Sequence, residues 1–410
     1  LFAVTGISLV GCGGGGSSSS SSSTPNTTVG AITSFGSVFV NGCEYDTDSA
    51  SFTIDGQPGT EADLSVGDVV EVFGPSNCVT GTALSINFAD ELEGVVDSNA
   101  VAAGVGTMVV MGQNITVNDL TIFDDETGGI ATVDAIAAGN VVEISGFGVG
   151  TGDIVASRIE VKAATHTPGN EIEVKGVVSS LDTTAMTFTI GGLTINYGSA
   201  TLDDISVMED GLYVEAKATD YTAGSFTLAA TKVEREDDGE IGHQGDHEDE
   251  FEIKGMLTAA YDDTSKTFGI NDQMILVNDN TDLEDITLAD LVAGNIGTLN
   301  LEAEGMFNAD GMLVAEEVNL EDDISDNDEY QGTITNLSAP AGMNSGTLMM
   351  TVGAGSMDVT INNDTMMKDS HESGGMMPED KFNFTHLQVG DLIEVHVDPT
   401  SGIAVKLERE

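Results

Sequence analysis

The sequence predicts an all-β protein, a tandem array of about five small domains, and three observations predict it: a recurring phrase, alternating short strands, and composition. The phrase is a Leu, a Gly-containing turn, an Asp or Asn, and a strand carrying Glu. It reads Leu64-Ser65-Val66-Gly67-Asp68-Val69-Val70-Glu71-Val72 and returns nearly verbatim as Leu387-Gln388-Val389-Gly390-Asp391-Leu392-Ile393-Glu394-Val395. Weaker copies lie at Gly139-Asn140-Val141-Val142-Glu143-Ile144, at Gly211-Leu212-Tyr213-Val214-Glu215-Ala216, and at Gly294 followed after an insertion by Leu299-Asn300-Leu301-Glu302. Composition agrees. The chain has 410 residues, 50 Gly and only 5% aromatics without Trp, so each core must be assembled from aliphatic side chains on strands joined by turns.

Each element follows in order. A domain opens on a Gly-led strand, as at Gly30-Ala31-Ile32, Gly94-Val95-Val96, Gly176-Val177-Val178, Gly255-Met256-Leu257 and Gly332-Thr333-Ile334. Two further strands follow, for example Ala185-Met186-Thr187-Phe188-Thr189-Ile190 and Leu193-Thr194-Ile195-Asn196-Tyr197. After the phrase strand comes a closing strand such as Ala156-Ser157-Arg158-Ile159-Glu160-Val161 or Ala404-Val405-Lys406-Leu407-Glu408. Alternation of period two turns one face inward. Five strands with an irregular turn between the third and fourth fit a small OB-like five-stranded β-barrel, whose closure removes exposed edges; a two-sheet sandwich is the alternative. The expected domains span 30–90, 91–165, 170–237, 249–322 and 330–410, with acidic linkers at 238–248 and 323–329. Five globules strung out would reach on the order of 140 Å.

The segment Val29-Gly30-Ala31-Ile32-Thr33-Ser34-Phe35-Gly36-Ser37-Val38-Phe39-Val40-Asn41-Gly42, followed by Leu64 to Val72, resembles the DUF5666 domain of bacterial lipoproteins. That resemblance implies a fold and an envelope location but supplies no catalytic residues. Residues 1–12 fit the same picture. Leu1 to Val10 are apolar and too short to span a bilayer, and they end in Leu9-Val10-Gly11-Cys12. This resembles a signal-peptide remnant and lipobox, in which Cys12 becomes the N-terminal residue and carries lipid; the basic start of such a peptide is expected upstream of Leu1. Gly13 after the cysteine points, by the same resemblance, to a Gram-negative outer membrane. Residues 13–29, rich in Gly and Ser, are expected to form a disordered tether with an end-to-end distance of roughly 20 to 25 Å.

Charge narrows the partners. With 69 acidic and 12 basic residues the net charge is -57. Such a field excludes nucleic acid, whose phosphates need Lys and Arg, and it attracts cations. The expected partners are the membrane, through the lipid, and a protein or glycan.

Candidate chemistry sits in four places. Cys43 and Cys78, both in the first domain of an exported chain, are expected to form a disulfide. His243, Asp246 and His247 offer donors for zinc or copper within an acidic linker. Asp322, Asp326 and Asp328 offer oxygens for calcium but lack the spacing of an EF-hand. A methionine-rich insertion in the fifth domain includes Met366, Met367, Met376 and Met377, with His371 close by, and thioethers suit Cu(I). Met349 and Met357 are expected in the core. No nucleophile elbow, Walker loop, dinucleotide fingerprint or HExxH occurs, so neither an enzyme nor a required cofactor is expected, calcium or copper aside.

Overall fold

The computed structural model describes residues 25–76, 80–118, 120–149, 153–236, 251–270, 273–278, 280–284, 286–296, 299–307, 312–323, 328–339, 345–353, 355–369, 382–398 and 401–409. The described regular structure is β-strand with short 3-10 turns, in five repeated domains. No helix among the described residues is long and apolar enough to cross a membrane.

The second domain shows the plan most completely. Its strands are β9 (Leu92–Asn99), β10 (Gly106–Val110), β11 (Gln113–Val117), β12 (Ile122–Asp125), β13 (Val141–Val149) and β14 (Asp153–Ala163). β9 pairs with β10, β10 with β11, β11 with β14 in parallel, β14 with β13, and β13 again with β9, so the pairing path returns to its start. The short β12 adds a second parallel partner to β14. Met111 and Gly112, both at positive φ, form the two-residue turn between β10 and β11.

The first domain comprises β1 (Pro25–Phe35), β2 (Val38–Val40), β3 (Cys43–Asp46), β4 (Ser51–Ile54), β5 (Gln57–Gly59), β6 (Val69–Pro75), β7 (Thr80–Thr82) and β8 (Ser85–Phe88). The third has β15 (Ile172–Val177), β16 (Ser179–Asp182), β17 (Thr187–Ile190), β18 (Leu193–Asn196), β19 (Thr201–Asp203), β20 (Tyr213–Ala218), β21 (Thr227–Ala229) and β22 (Lys232–Arg235). β23 (Phe251–Asp262), β24 (Thr267–Ile270), β25 (Gln273–Leu276), β26 (Asp282–Glu284), β27 (Leu299–Phe307) and β28 (Leu313–Asp323) make the fourth. The fifth holds β29 (Asp328–Ser338), β30 (Gly346–Val352), β31 (Gly355–Ile361), β32 (Met366–Asp369), β33 (Leu392–Val397) and β34 (Ala404–Arg409). In every domain a short strand that the sequence reading lacked (β4, β12, β19, β26 or β32) runs parallel to the last strand.

The repeated phrase has a common geometry in four domains. Gly67, Gly139, Gly211 and Gly390 take φ of 91, 95, 96 and 107°, a region that disfavours any side chain. Their amides donate to the carbonyls of Ile32, Val96 and Ile334 on the first strand and of Val178 just past its end, at 2.8 to 2.9 Å. The following residue returns its carbonyl to the same strand residue. Asp68, Asn140 and Asp391 also accept, through side-chain oxygens, from the amides of Ser65, Ala137 and Gln388 at 2.7 to 2.8 Å. The turn is thus locked to strand one from both sides. The fourth domain departs: Gly294 lies in a 3-10 turn, and Asp290 caps Thr287 instead, at 2.9 Å.

The cores are mainly aliphatic, as composition requires, with a few aromatics such as Phe35, Phe39, Phe188 and Phe268 fully buried. The second and third domains share one core. The first domain's core also receives Leu120, Ile122, Phe147 and Val155 from the second domain and Met366 from the fifth.

Three expectations are corrected. Strand begins at Pro25, so the tether does not run to Val29. The proposed linker at 323–329 is invaded from both ends, since β28 reaches Asp323 and β29 begins at Asp328, where backbone pairing outweighs charge repulsion. The domains are also not strung out in a line. β23 of the fourth domain pairs in parallel with β1 through Thr28 and Val29. Thr33 donates to the Asn363 carbonyl at 2.7 Å, and the Asn363 amide donates to the Gly42 carbonyl at 3.0 Å. The open edge of β1 and the polar turns around it find their partners some 220 to 330 residues later, by folding the chain back.

Candidate carboxylate centre

One row of charged residues crosses the sheet shared by the second and third domains. Glu160, Glu143, Glu93, Glu173, Lys217 and Lys232 are successive partners on β14, β13, β9, β15, β20 and β22. Directly opposed side chains share a face, so four carboxylates stand side by side before the first lysine. A flanking row continues it: Lys175 lies opposite Glu215, and Glu215 opposite Glu234.

Three lysines hold this face together. Lys162 lies 3.4 Å from both Glu143 and Glu160 and 2.8 Å from Glu126. Lys217 bonds Glu173 and stands 3.0 Å from Glu215. The Lys175 side chain is 8% exposed, donates to the Asp90 carbonyl at 2.5 Å, and lies 3.8 Å from Glu215.

The first domain covers part of the row. Asp55 and Gly56, at φ of 46 and 70°, form the hairpin tip between β4 and β5 and reach the connection to the second domain. There the Asp90 amide donates to Asp55 at 3.3 Å. Asp55, Asp90 and Glu173 each place a carboxylate oxygen within 4.8 Å of the other two.

Electrostatics follow from this crowding. Burial, then Glu143 beside it, pushes Glu93 up to about 7. Burial raises Asp90 well above the usual carboxylate range against the pull of Lys175, and Glu173 raises it further. Burial also raises Glu173, but its bonds with Asp90 and Lys217 outweigh that and bring it below its ordinary value. Asp90 is thus the proton holder of the pair. Glu91, Glu143, Glu215 and Asp55 are raised as well, burial leading in each.

A second buried cluster seals the first domain to the second. Arg158 on β14 lies 2.9 Å from Asp124, 3.6 Å from Glu160 and 3.7 Å from Asp68, and donates to the Val66 carbonyl at 3.3 Å. Burial outweighs the attraction of Arg158 and lifts Asp68 to about 7. Gly67 is pressed into this seam: a Cβ there would come within 3.0 Å of the Ser157 carbonyl.

The residues singled out from sequence fall elsewhere. Cys43 is buried on β3, which pairs in parallel with β7 through Glu44 and Thr80; Cys78 lies outside the described residues, as does Cys12. His243, Asp246, His247, Asp326, His371, Met376 and Met377 also lie outside them. Asp322 is a backbone position on β28 opposite Asn300, and Asp328 one on β29 opposite Val397, so these two members of the acidic run belong to different strands. Met366 and Met367 are buried back to back on β32, the first packed in the first domain's core and the second in the fifth's, which places both thioethers in apolar packing. Met357 on β31 is half-buried against the fifth core, but on β30 Met350 rather than Met349 points inward, a register of one residue.

Sequence reasoning missed the carboxylate row. Its signal was present in Glu91-Leu92-Glu93 and Glu171-Ile172-Glu173, where acids alternate with aliphatics at domain starts. Alternation assigns them a face, but not the strand opposite.

Fold and site together define a five-copy all-β repeat protein whose first three domains meet through buried charge. The family model described as "Domain of unknown function (DUF5666)" matches residues 28–86, 93–160, 175–234, 254–319 and 331–406. The chain belongs to the DUF5666 family. No curated protein matches it. Among solved structures, drosophila Unr CSD456 is similar at 12% identity over 58% of this chain and 96% of its own, with a TM-score of 0.14, at which the likeness carries no argument.

Proposed function

We propose that this protein is an envelope lipoprotein whose five domains form one acidic body that binds a protein or glycan partner, tethered through Cys12 to the outer membrane. The observation that carries the reading is the way domains remote in sequence close on the first domain through specific polar contacts, which suits a single presented surface better than an extended spacer. The apolar segment ending in Cys12 and the Gly/Ser stretch after it support the anchor. We further propose that each domain is an OB-like barrel, supported by the closed pairing path of the second domain and its parallel β11–β14 pair. The Cys43–Cys78 disulfide belongs to the same reading, supported by the β3–β7 register, which begins two residues after Cys78.

Cys12→Ala tests the anchor: the variant should leave the membrane fraction for the soluble one, and retention would refute lipid attachment at Cys12. Small-angle scattering tests the single body. A compact chain of this length has a radius of gyration of about 21 Å, whereas a rod on the order of 140 Å long gives about 40 Å. A value near the latter would restore the spacer.

A further inference from the structure

Asp90 is a buried acid with one carboxylate oxygen left without a hydrogen bond. The residue is 3% exposed, and its Oδ1 has no hydrogen-bond partner. Lys175, 3.9 Å from that oxygen, is beyond hydrogen-bonding reach and gives its proton to the Asp90 main-chain carbonyl instead. The carboxylate is directed at Asp55 and Glu173, whose oxygens lie within 4.8 Å.

We propose that Asp55, Asp90 and Glu173 form a binding site for a hard divalent cation, calcium first among them, at the junction of the first three domains. The donor set is oxygen only, which suits calcium or magnesium and not the soft metals. Calcium-to-oxygen distances of about 2.3 to 2.6 Å let two ligand oxygens of one ion stand at most about 5 Å apart, and the three carboxylate oxygens lie within that reach of one another. The surroundings favour a cation. Glu91, Glu93, Glu143 and Glu215 join the three ligands, against Lys162, Lys175 and Lys217. Asp55 is exposed at its hairpin tip and supplies the entry side, while Asp90 and Glu173 are buried. The ligands come from the first domain's hairpin, the connection to the second, and β15 of the third. An ion here therefore joins three domains. The proposal does not depend on the anchor or on the partner.

The test is calorimetric titration of the full chain with calcium chloride at about 0.15 M salt, where diffuse binding to surface acids is screened. The parent is compared with Asp90→Asn, Glu173→Gln and, as a control, Glu236→Gln in a second group of closely spaced carboxylates, Glu215, Glu234 and Glu236. The expected result is one saturable site in the parent and in Glu236→Gln, and a calcium-dependent rise in unfolding temperature in both. Asp90→Asn and Glu173→Gln should bind at least about tenfold more weakly and lose that rise. Both should fold in chelator, as checked by far-ultraviolet circular dichroism. Should either fail to fold, Asp55→Asn, at an exposed position, is read in its place. Absence of a saturable site in the parent overturns the proposal, as does unchanged binding in the ligand variants or loss of binding in Glu236→Gln alone.

Discussion

Replacing Asp68 by Asn should stabilise the first domain at neutral and alkaline pH while leaving it unchanged in acid. Asp68 is almost wholly buried, and burial lifts it from 3.8 to about 7 despite Arg158. A carboxyl whose pKa is higher in the folded than in the unfolded chain favours folding only while protonated. Its contribution is complete below the unfolded value near 3.8 and is lost as pH rises through about 7. A shift of about three units at 1.36 kcal/mol each amounts to roughly 4 kcal/mol lost by pH 8. Asn mimics the protonated side chain and does not titrate. The second domain shows that it also keeps the turn, since Asn140 caps the Ala137 amide at 2.7 Å where Asp68 caps Ser65. Arg158 retains Asp124 and Glu160. Urea unfolding followed by circular dichroism at pH 4 and pH 8 should therefore show parent and variant within about 0.6 kcal/mol at the lower pH and separated by about 4 kcal/mol, variant ahead, at the higher. A variant less stable than the parent at pH 8 would refute the reasoning, because Asp68 would then be ionised and held by Arg158.

Three other expectations follow from the same seams and turns. Arg158→Met should cost about 3 to 5 kcal/mol at pH 7 by stranding buried carboxylates, and Asp68→Asn in the same chain should recover part of that loss in thermal unfolding. Gly390→Ala should cost about 1 to 2 kcal/mol from its positive φ alone, since a Cβ there meets nothing; Gly67→Ala should cost more, because the Ser157 carbonyl stands in the way, and equal losses would count against that contact. Alkylation under denaturing, non-reducing conditions should leave Cys43 and Cys78 unlabelled, and labelling of either without reductant would remove the disulfide.

Much of the fold was legible because the repeat is written in turn chemistry. Gly67 and Gly390 are followed by Asp, and the pair can only be accommodated where the chain reverses with a positive φ and a side-chain cap. The phrase therefore located the same turn in four domains. It misled in the fourth, where the Gly294 turn is displaced by the insertion and the cap passes to Asp290. The Asn-x-x-Thr turns after the third strand passed unnoticed, although Thr121, Thr281 and Thr365 all close them on a last-strand carbonyl at 2.6 to 2.8 Å. The carboxylate row was illegible for a different reason. Glu93 and Glu173 acquire their meaning by facing each other across a domain boundary, and no local period records which edges meet.

The parallel pairing of β1 with β23 has a temporal side. Ribosomes deliver the first domain long before Glu252 and Ile253 exist, so Thr28 and Val29 present an unsatisfied strand margin throughout the making of the second and third domains. A nascent chain in that condition is a template for any passing strand, including a sibling's. The fourth domain is then both a member of the series and the cap that ends this sticky interval, and fragments terminating at Arg235 should self-associate where the whole chain does not.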